Sequence, residues 1–138
     1  MAKAALTIAL LLGAHLNLTA LVPAPAGQGQ PPWWVGGGLF WPFFADARTL
    51  VPAGAFRDTV TPLLGIAAAA CLLMAAAAIL GWLVPGSWFT PLVVAGVSCS
   101  IVLQIVWLSG WTVLPLALDV VLLWVVLAGH IAVAGAEA

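Results

Sequence analysis

The chain has 138 residues, 65% of them hydrophobic and 5% charged, with a net charge of −1. Three basic and four acidic side chains cannot wet a soluble globule of this size, which ordinarily carries about 25% charged residues, so the composition points to hydrocarbon as the solvent. Lys3, Arg48 and Arg57 form no cluster, which excludes a nucleic-acid-binding surface and a polybasic lipid patch.

The first apolar run covers residues 4–22 and is interrupted mainly by Thr7, His15, Asn17 and Thr19 before Pro23 and Pro25 end it. A lysine-led apolar stretch followed by Ala24-Pro25-Ala26 also fits a cleaved leader. The length of the run and the polar residues in its core favour a retained helix. The segment 23–61 then reads as a loop. It opens with Pro, Gly and Gln and passes into an aromatic stretch containing Trp33, Trp34, Phe40 and Trp41. So much apolar surface is expected at the membrane interface or against a partner subunit. Gly36-Gly37-Gly38 lacks the Lys-Ser/Thr of a phosphate loop.

Thr61-Pro62 and Thr90-Pro91 each have the form of an N-cap followed by a first-turn proline. They place helices at 62–84, closed by Pro85-Gly86, and at 91–108, closed by Ser109-Gly110. Thr112 opens a fourth at 113–134. Runs of ~18–23 residues match a ~30 Å hydrocarbon core, and the short turns between the last three make them antiparallel neighbours. The expected fold is all-α: a single domain of four transmembrane helices in an antiparallel bundle. Trp82 and Trp88 flank one turn, and Trp107 and Trp111 the next, as indoles at two opposite interfaces would. Lys3 places the N-terminus, and with four crossings the C-terminus, on the cytoplasmic side of a bacterial inner membrane.

Polar groups inside such spans are where chemistry is expected. Measured from the proposed helix ends, Gln104 lies ~6 Å deep, Asn17 ~8 Å, and His15 and Asp119 ~10 Å, all in one half of the bilayer. With Thr19 they form a candidate intramembrane polar cluster. Ser98 and Ser100 are further polar groups on the third helix. His15 and Asn17 point about 200° apart on their helix, so the two do not line one small cavity, and one of them faces a second neighbour. Asp119 reads either as a helix-to-helix hydrogen bond or as a proton or cation relay with His15 as its partner. His15 and His130 are alternative axial ligands for haem or a chlorin pigment, at heights too different for both to bind one haem. No other cofactor and no metal site is expected. Cys71 and Cys99 form no CxxC pair and read as buried thiols. No Gly-x-Ser-x-Gly elbow supports a serine nucleophile.

Small residues recur every fourth position at Ala67, Cys71 and Ala75, at Gly96 and Ser100, and at Ala9 and Gly13. Such stripes let helices approach closely, with the poly-alanine second helix as the hub. Gly13-Ala14-His15-Leu16, the polar third helix from Ser100 to Trp107, and Asp119 on the fourth together resemble small four-helix bacterial membrane proteins of uncharacterised function, over about two thirds of the chain. That resemblance implies a four-helix membrane fold and no activity.

The leading expectation is a non-catalytic membrane subunit, an accessory or assembly component that contacts lipid and other membrane subunits or a second copy of itself. A small carrier or proton-coupled transporter using Asp119 is the first alternative, and a haem- or pigment-binding subunit using His15 or His130 the second. Small multidrug exporters depend on a glutamate in the first helix, and this first run has none.

Overall fold

Alanine and leucine, the strongest helix formers, dominate the chain, and the computed structural model is mostly helical. It describes residues 1–21, 48–52, 54–108 and 113–129. Four α-helices follow in order: α1 Ala2–Leu18, α2 Ala55–Ile79, α3 Phe89–Val106 and α4 Val113–Leu127. Single 3-10 turns extend α1 over Thr19–Leu21 and lead into α3 over Gly86–Trp88. Helices α2 and α3, the latter with its leading turn, are long and apolar enough to cross a membrane. Helices α1 and α4, at 17 and 15 residues, reach about 26 and 22 Å.

The helix limits differ from those expected, for local reasons. Helix α2 starts at Ala55 and carries Pro62 inside it, so Thr61-Pro62 is not its beginning. Pro62 removes one intrahelical donor, within a segment whose Thr59 hydroxyl already bonds back to the Ala55 carbonyl at 2.8 Å. At its other end α2 stops at Ile79, not at Val84. Gly81 takes φ 70°, its N–H bonds the Ala78 carbonyl at 3.1 Å and the Trp82 N–H bonds that of Ala77 at 2.8 Å. This is the paired closure of a Schellman motif, and Leu83 at φ 62° bars any continuation. Helix α3 begins at Phe89 and ends at Val106, two residues early at each end. Helix α4 ends at Leu127, with Gly129 at φ 65° after it, short of the expected 134; residues 130–134 lie outside the described ones.

Trp107 and Leu108 leave the helix and pair antiparallel with Arg48–Thr49, in register Arg48 with Leu108 and Thr49 with Trp107. The Leu50 N–H adds a bond to the Val106 carbonyl at 3.2 Å. The long connection after α1 therefore returns to the C-terminal end of α3, through a short strand pair that the apolar runs do not reveal.

The core is built from small residues facing leucines. Helix α2 packs against both α1 and α3, and α4 closes against α3 and α1. The buried face of α2 carries Gly65, Ala68, Ala69, Leu72, Ala75, Ala76 and Ile79, whereas Ala67 is exposed and Cys71 half-buried, so the working stripe is rotated from the one read by spacing. Leu72 is fully buried between two glycines. A Cβ on Gly13 would stand 3.1 Å from Leu72 Cδ1, and one on Gly96 would stand 3.0 Å from both Leu72 Cγ and Cys71 Cβ. Thr61 opposite Trp107 and Leu72 opposite Gly96 set α2 and α3 antiparallel, as the short turn between them requires.

Gly96→Ala is expected to destabilise the bundle by about 1–3 kcal/mol through overpacking, because the added methyl meets a Cβ and a branch carbon rather than a movable tip. Gly13→Ala, which meets the end of the Leu72 side chain, is expected to cost less. Unfolding of the two variants in mixed micelles checks the order.

Candidate functional site

One turn of helix connects the glycine slot to a polar cluster. Asn17 follows Gly13 by four residues on α1, and Ser100 follows Gly96 by four on α3, so each polar side chain lies on the face its glycine opens. The Asn17 Nδ2 donates to the Ser100 hydroxyl at 3.1 Å and to the Gly13 carbonyl at 2.8 Å. A carbonyl only accepts, which fixes the amide with its nitrogen toward Gly13 and leaves Oδ1 without a hydrogen-bond partner among the described residues. The Asp119 carboxyl on α4 comes up to the Ser100 hydroxyl from the other side. Ser100 thus joins α1, α3 and α4 through one hydroxyl. Gln104 lies one turn further along the same face of α3 and is completely buried.

The cluster is buried and under-satisfied. Asn17, Ser100, Gln104 and Asp119 are each 1% exposed or less, yet Asn17 Oδ1, both amide atoms of Gln104 and Asp119 Oδ2 have no hydrogen-bond partner among the described residues. Buried polar atoms are nearly always paired, so four such atoms on Asn17, Gln104 and Asp119 set this part of the interior apart from the rest of the described core. No ion pair reaches Asp119 among the described residues. Arg57 is engaged elsewhere, 3.5 Å from Asp58 and 5.1 Å above the Trp107 ring.

The residues expected to share a depth are placed as follows. Asn17, Gln104 and Asp119 come to the bundle interior around Ser100. Thr19 is buried but turns its hydroxyl back to the Leu16 carbonyl at 2.5 Å, a local helix bond rather than a contribution to the cluster. His15 is half-buried and forms no side-chain hydrogen bond among the described residues. The divergence of His15 and Asn17 around α1 therefore resolves with Asn17 inward, and the Asp119 partner is Ser100 rather than His15. Ser98 is exposed to the outside and bonds the Val94 carbonyl at 2.7 Å. His130 and the aromatic residues Trp33, Trp34, Phe40 and Trp41 lie outside the described residues. No group of three or more His, Cys, Asp or Glu side chains that could hold a metal ion is found among the described residues.

A second polar contact escapes sequence reasoning. The Trp107 Nε1 donates to the Thr61 hydroxyl at 2.9 Å, with Arg57 stacked on the indole and its Nε buried without a partner. Arg57 and Thr61 are four apart on α2 and share a face. That spacing, set against a tryptophan at the end of the antiparallel helix, is the signal that could have found the group. It caps the bundle at the end toward which the α3 row of Ser100 and Gln104 runs.

No family model, curated protein or solved structure matches the chain.

A double-mutant cycle of Asn17→Ala and Ser100→Ala, read by unfolding in mixed micelles, is expected to give a coupling of about 0.6 kcal/mol, the usual size for hydrogen bonds between membrane helices. A coupling of zero would mean that the two side chains do not bond.

Proposed function

We propose that the chain is a four-span integral membrane protein that works as a small carrier, with Asp119 at the centre of an internal site for a proton or small cation. The observation that carries this reading is a reversed distribution of polarity. Large apolar side chains point outward on all four helices, among them Ile8 and Leu11 on α1, Ile66 and Leu73 on α2, Val102 and Ile105 on α3, and Val120, Val121 and Trp124 on α4. The side chains turned inward include Asn17, Ser100, Gln104 and Asp119. In water this arrangement would be unfavourable on both counts. In lipid it is what a bundle with an internal polar site requires.

Four crossings suit this pattern better than two. Helices α1 and α4 are outwardly as apolar as α2 and α3, and both contribute to the buried cluster. The 17 and 15 residues of α1 and α4 are accommodated by local thinning of the bilayer. Trp82 and Trp88, both exposed beside the α2–α3 turn, suit one interface, and the Arg57–Trp107 group suits the other.

Carriage follows from what Asp119 lacks. A carboxyl group buried without a basic partner has to bear a proton or hold a cation, and exchange between those two states is the elementary step of a proton-coupled carrier. A purely structural hydrogen bond between helices gives no reason for Oδ2, the Gln104 amide and Asn17 Oδ1 to stand unpaired among the described residues. The membrane-subunit reading keeps support from one specific feature: His15, a polar group part-exposed away from the cluster, suits contact with another membrane protein.

Two measurements test the proposal. Cysteines introduced as Lys3→Cys, Asp58→Cys and Ser87→Cys, one at a time in a Cys71→Ala, Cys99→Ala background, should react with an impermeant maleimide from one side at positions 3 and 87 and from the other at 58. Labelling of 3 and 58 from the same side would leave α1 outside the membrane and end the four-span reading. In proteoliposomes bearing a cation gradient, proton movement followed by an internal pH dye should fall at least about tenfold in Asp119→Asn, a loss of at least about 1.4 kcal/mol in transition-state stabilisation. Unchanged movement in that variant would remove the carrier reading.

A further inference from the structure

We infer that the Asn17–Ser100–Gln104–Asp119 cluster is a binding site for a single dehydrated alkali-metal cation, which enters from the Arg57–Trp107 end of the bundle. The inference rests on the carrier reading and names the ion that the site takes.

The donor set determines the class of ligand. Three buried oxygens have no partner among the described residues: Asn17 Oδ1, Gln104 Oε1 and Asp119 Oδ2. A fourth, the Ser100 hydroxyl, accepts one bond from Asn17 and joins Asp119 on its other side. Oxygen-only donors select hard cations over the softer transition metals. The charge selects within the hard cations. Calcium is held by several carboxylates and six to eight oxygens, and magnesium keeps most of its water, whereas this cluster offers one carboxylate among neutral amides and a hydroxyl. One negative charge balances one monovalent ion, and buried charges are stable when balanced in this way. Gln104 Nε2, the one unpaired donor in the set, serves a water that completes the coordination.

The direction of entry follows from what lies one turn to either side. Toward the N-terminus of α3 the cluster abuts Leu72, held between Gly13 and Gly96 with Leu118 Cδ2 3.6 Å from the Cβ position of Gly13. That layer is apolar, and a Cβ added on either glycine would already meet its neighbours at 3.0–3.1 Å. Toward the C-terminus of α3 polar side chains recur at Gln104, beside the apolar contact of Leu103 with Leu64 and Trp107, and then at the Trp107–Thr61 bond, the series ending at Arg57, whose side chain is one-fifth exposed. Arg57 sits over the indole face rather than on the axis of the series. Its positive charge, paired with Asp58, marks the outer limit of the route and slows the approach of a cation without occupying the site.

The test is equilibrium binding of ²²Na⁺ to the full chain purified in detergent, with monodispersity by size exclusion as the folding control. Bound counts should be displaced by excess NaCl and KCl and not by choline chloride. Asp119→Asn and Gln104→Met, which keep side-chain size close to native, should each weaken binding at least tenfold, while Ser98→Ala on the outer face should leave it unchanged. Absence of displaceable sodium from monodisperse protein, or binding that survives Asp119→Asn, overturns the inference. If sodium does not bind while proton movement in proteoliposomes still depends on Asp119, the cluster carries protons alone; the cation site is then wrong and the carrier reading stands.

Discussion

The seat of Leu72 between Gly13 and Gly96 governs the arrangement of everything else in the bundle. Association of apolar helices in lipid gains nothing from hiding hydrocarbon, because lipid tails are equally apolar, so contact area and close approach have to supply the attraction. A leucine inserted between two glycines gives that approach on two helices at once. The consequence appears four residues further along each partner. Gly13 brings α1 and Gly96 brings α3 onto the same Leu72 of α2, and one turn further along each helix Asn17 and Ser100 meet across the bundle in a 3.1 Å bond. The apolar slot and the polar cluster are successive layers of the bundle.

Much of the fold is legible in the residues, and the parts that are not have definite causes. Four apolar runs yield four helices because helix formation over such lengths is dictated by composition. Their ends depend on single residues. Thr61-Pro62 has the form of a helix start and lies inside α2, because a proline two turns into a helix costs one hydrogen bond and the residues before it, Ala55 to Val60, are helical without its help. Gly81 was the true stop for α2 and is visible in the sequence, but Pro85-Gly86 four residues later is the louder signal. The paired strands at Arg48–Thr49 and Trp107–Leu108 have no periodicity to betray them, being two residues long.

The site shows the same division between what distance along a helix can tell and what rotation about it can tell. Depth is nearly independent of tertiary packing, since each residue advances a helix by a fixed rise, and Asn17, Gln104 and Asp119 do gather in one part of the bundle. Azimuth depends on which face a neighbour covers, so the choice between His15 and Asn17 could not be made without the glycine slot. Ser100 was visible as a small polar residue in a packing stripe. Its second role, as the hydroxyl joining three helices, emerges only when α1 and α4 are in place beside α3. The Arg57–Trp107–Thr61 group remained hidden for a related reason: its members are separated by the whole length of two antiparallel helices, and only their register unites them.

The cluster is the least economical part of the molecule by any structural criterion. Each orphaned buried polar atom costs about 1–3 kcal/mol relative to a satisfied one, and Asn17, Gln104 and Asp119 hold four of them in a bundle whose remaining interior is chiefly leucine, valine, alanine and glycine. Leucine at 104 and at 119 would fill similar volume without that cost, and replacing a buried polar group by a well-packed apolar one commonly stabilises. Local violations of packing logic concentrate where function is located. Here four of the five unpartnered buried side-chain atoms among the described residues belong to this cluster, next to a tight apolar seat, so most of the penalty falls where a bound ion or proton would relieve it.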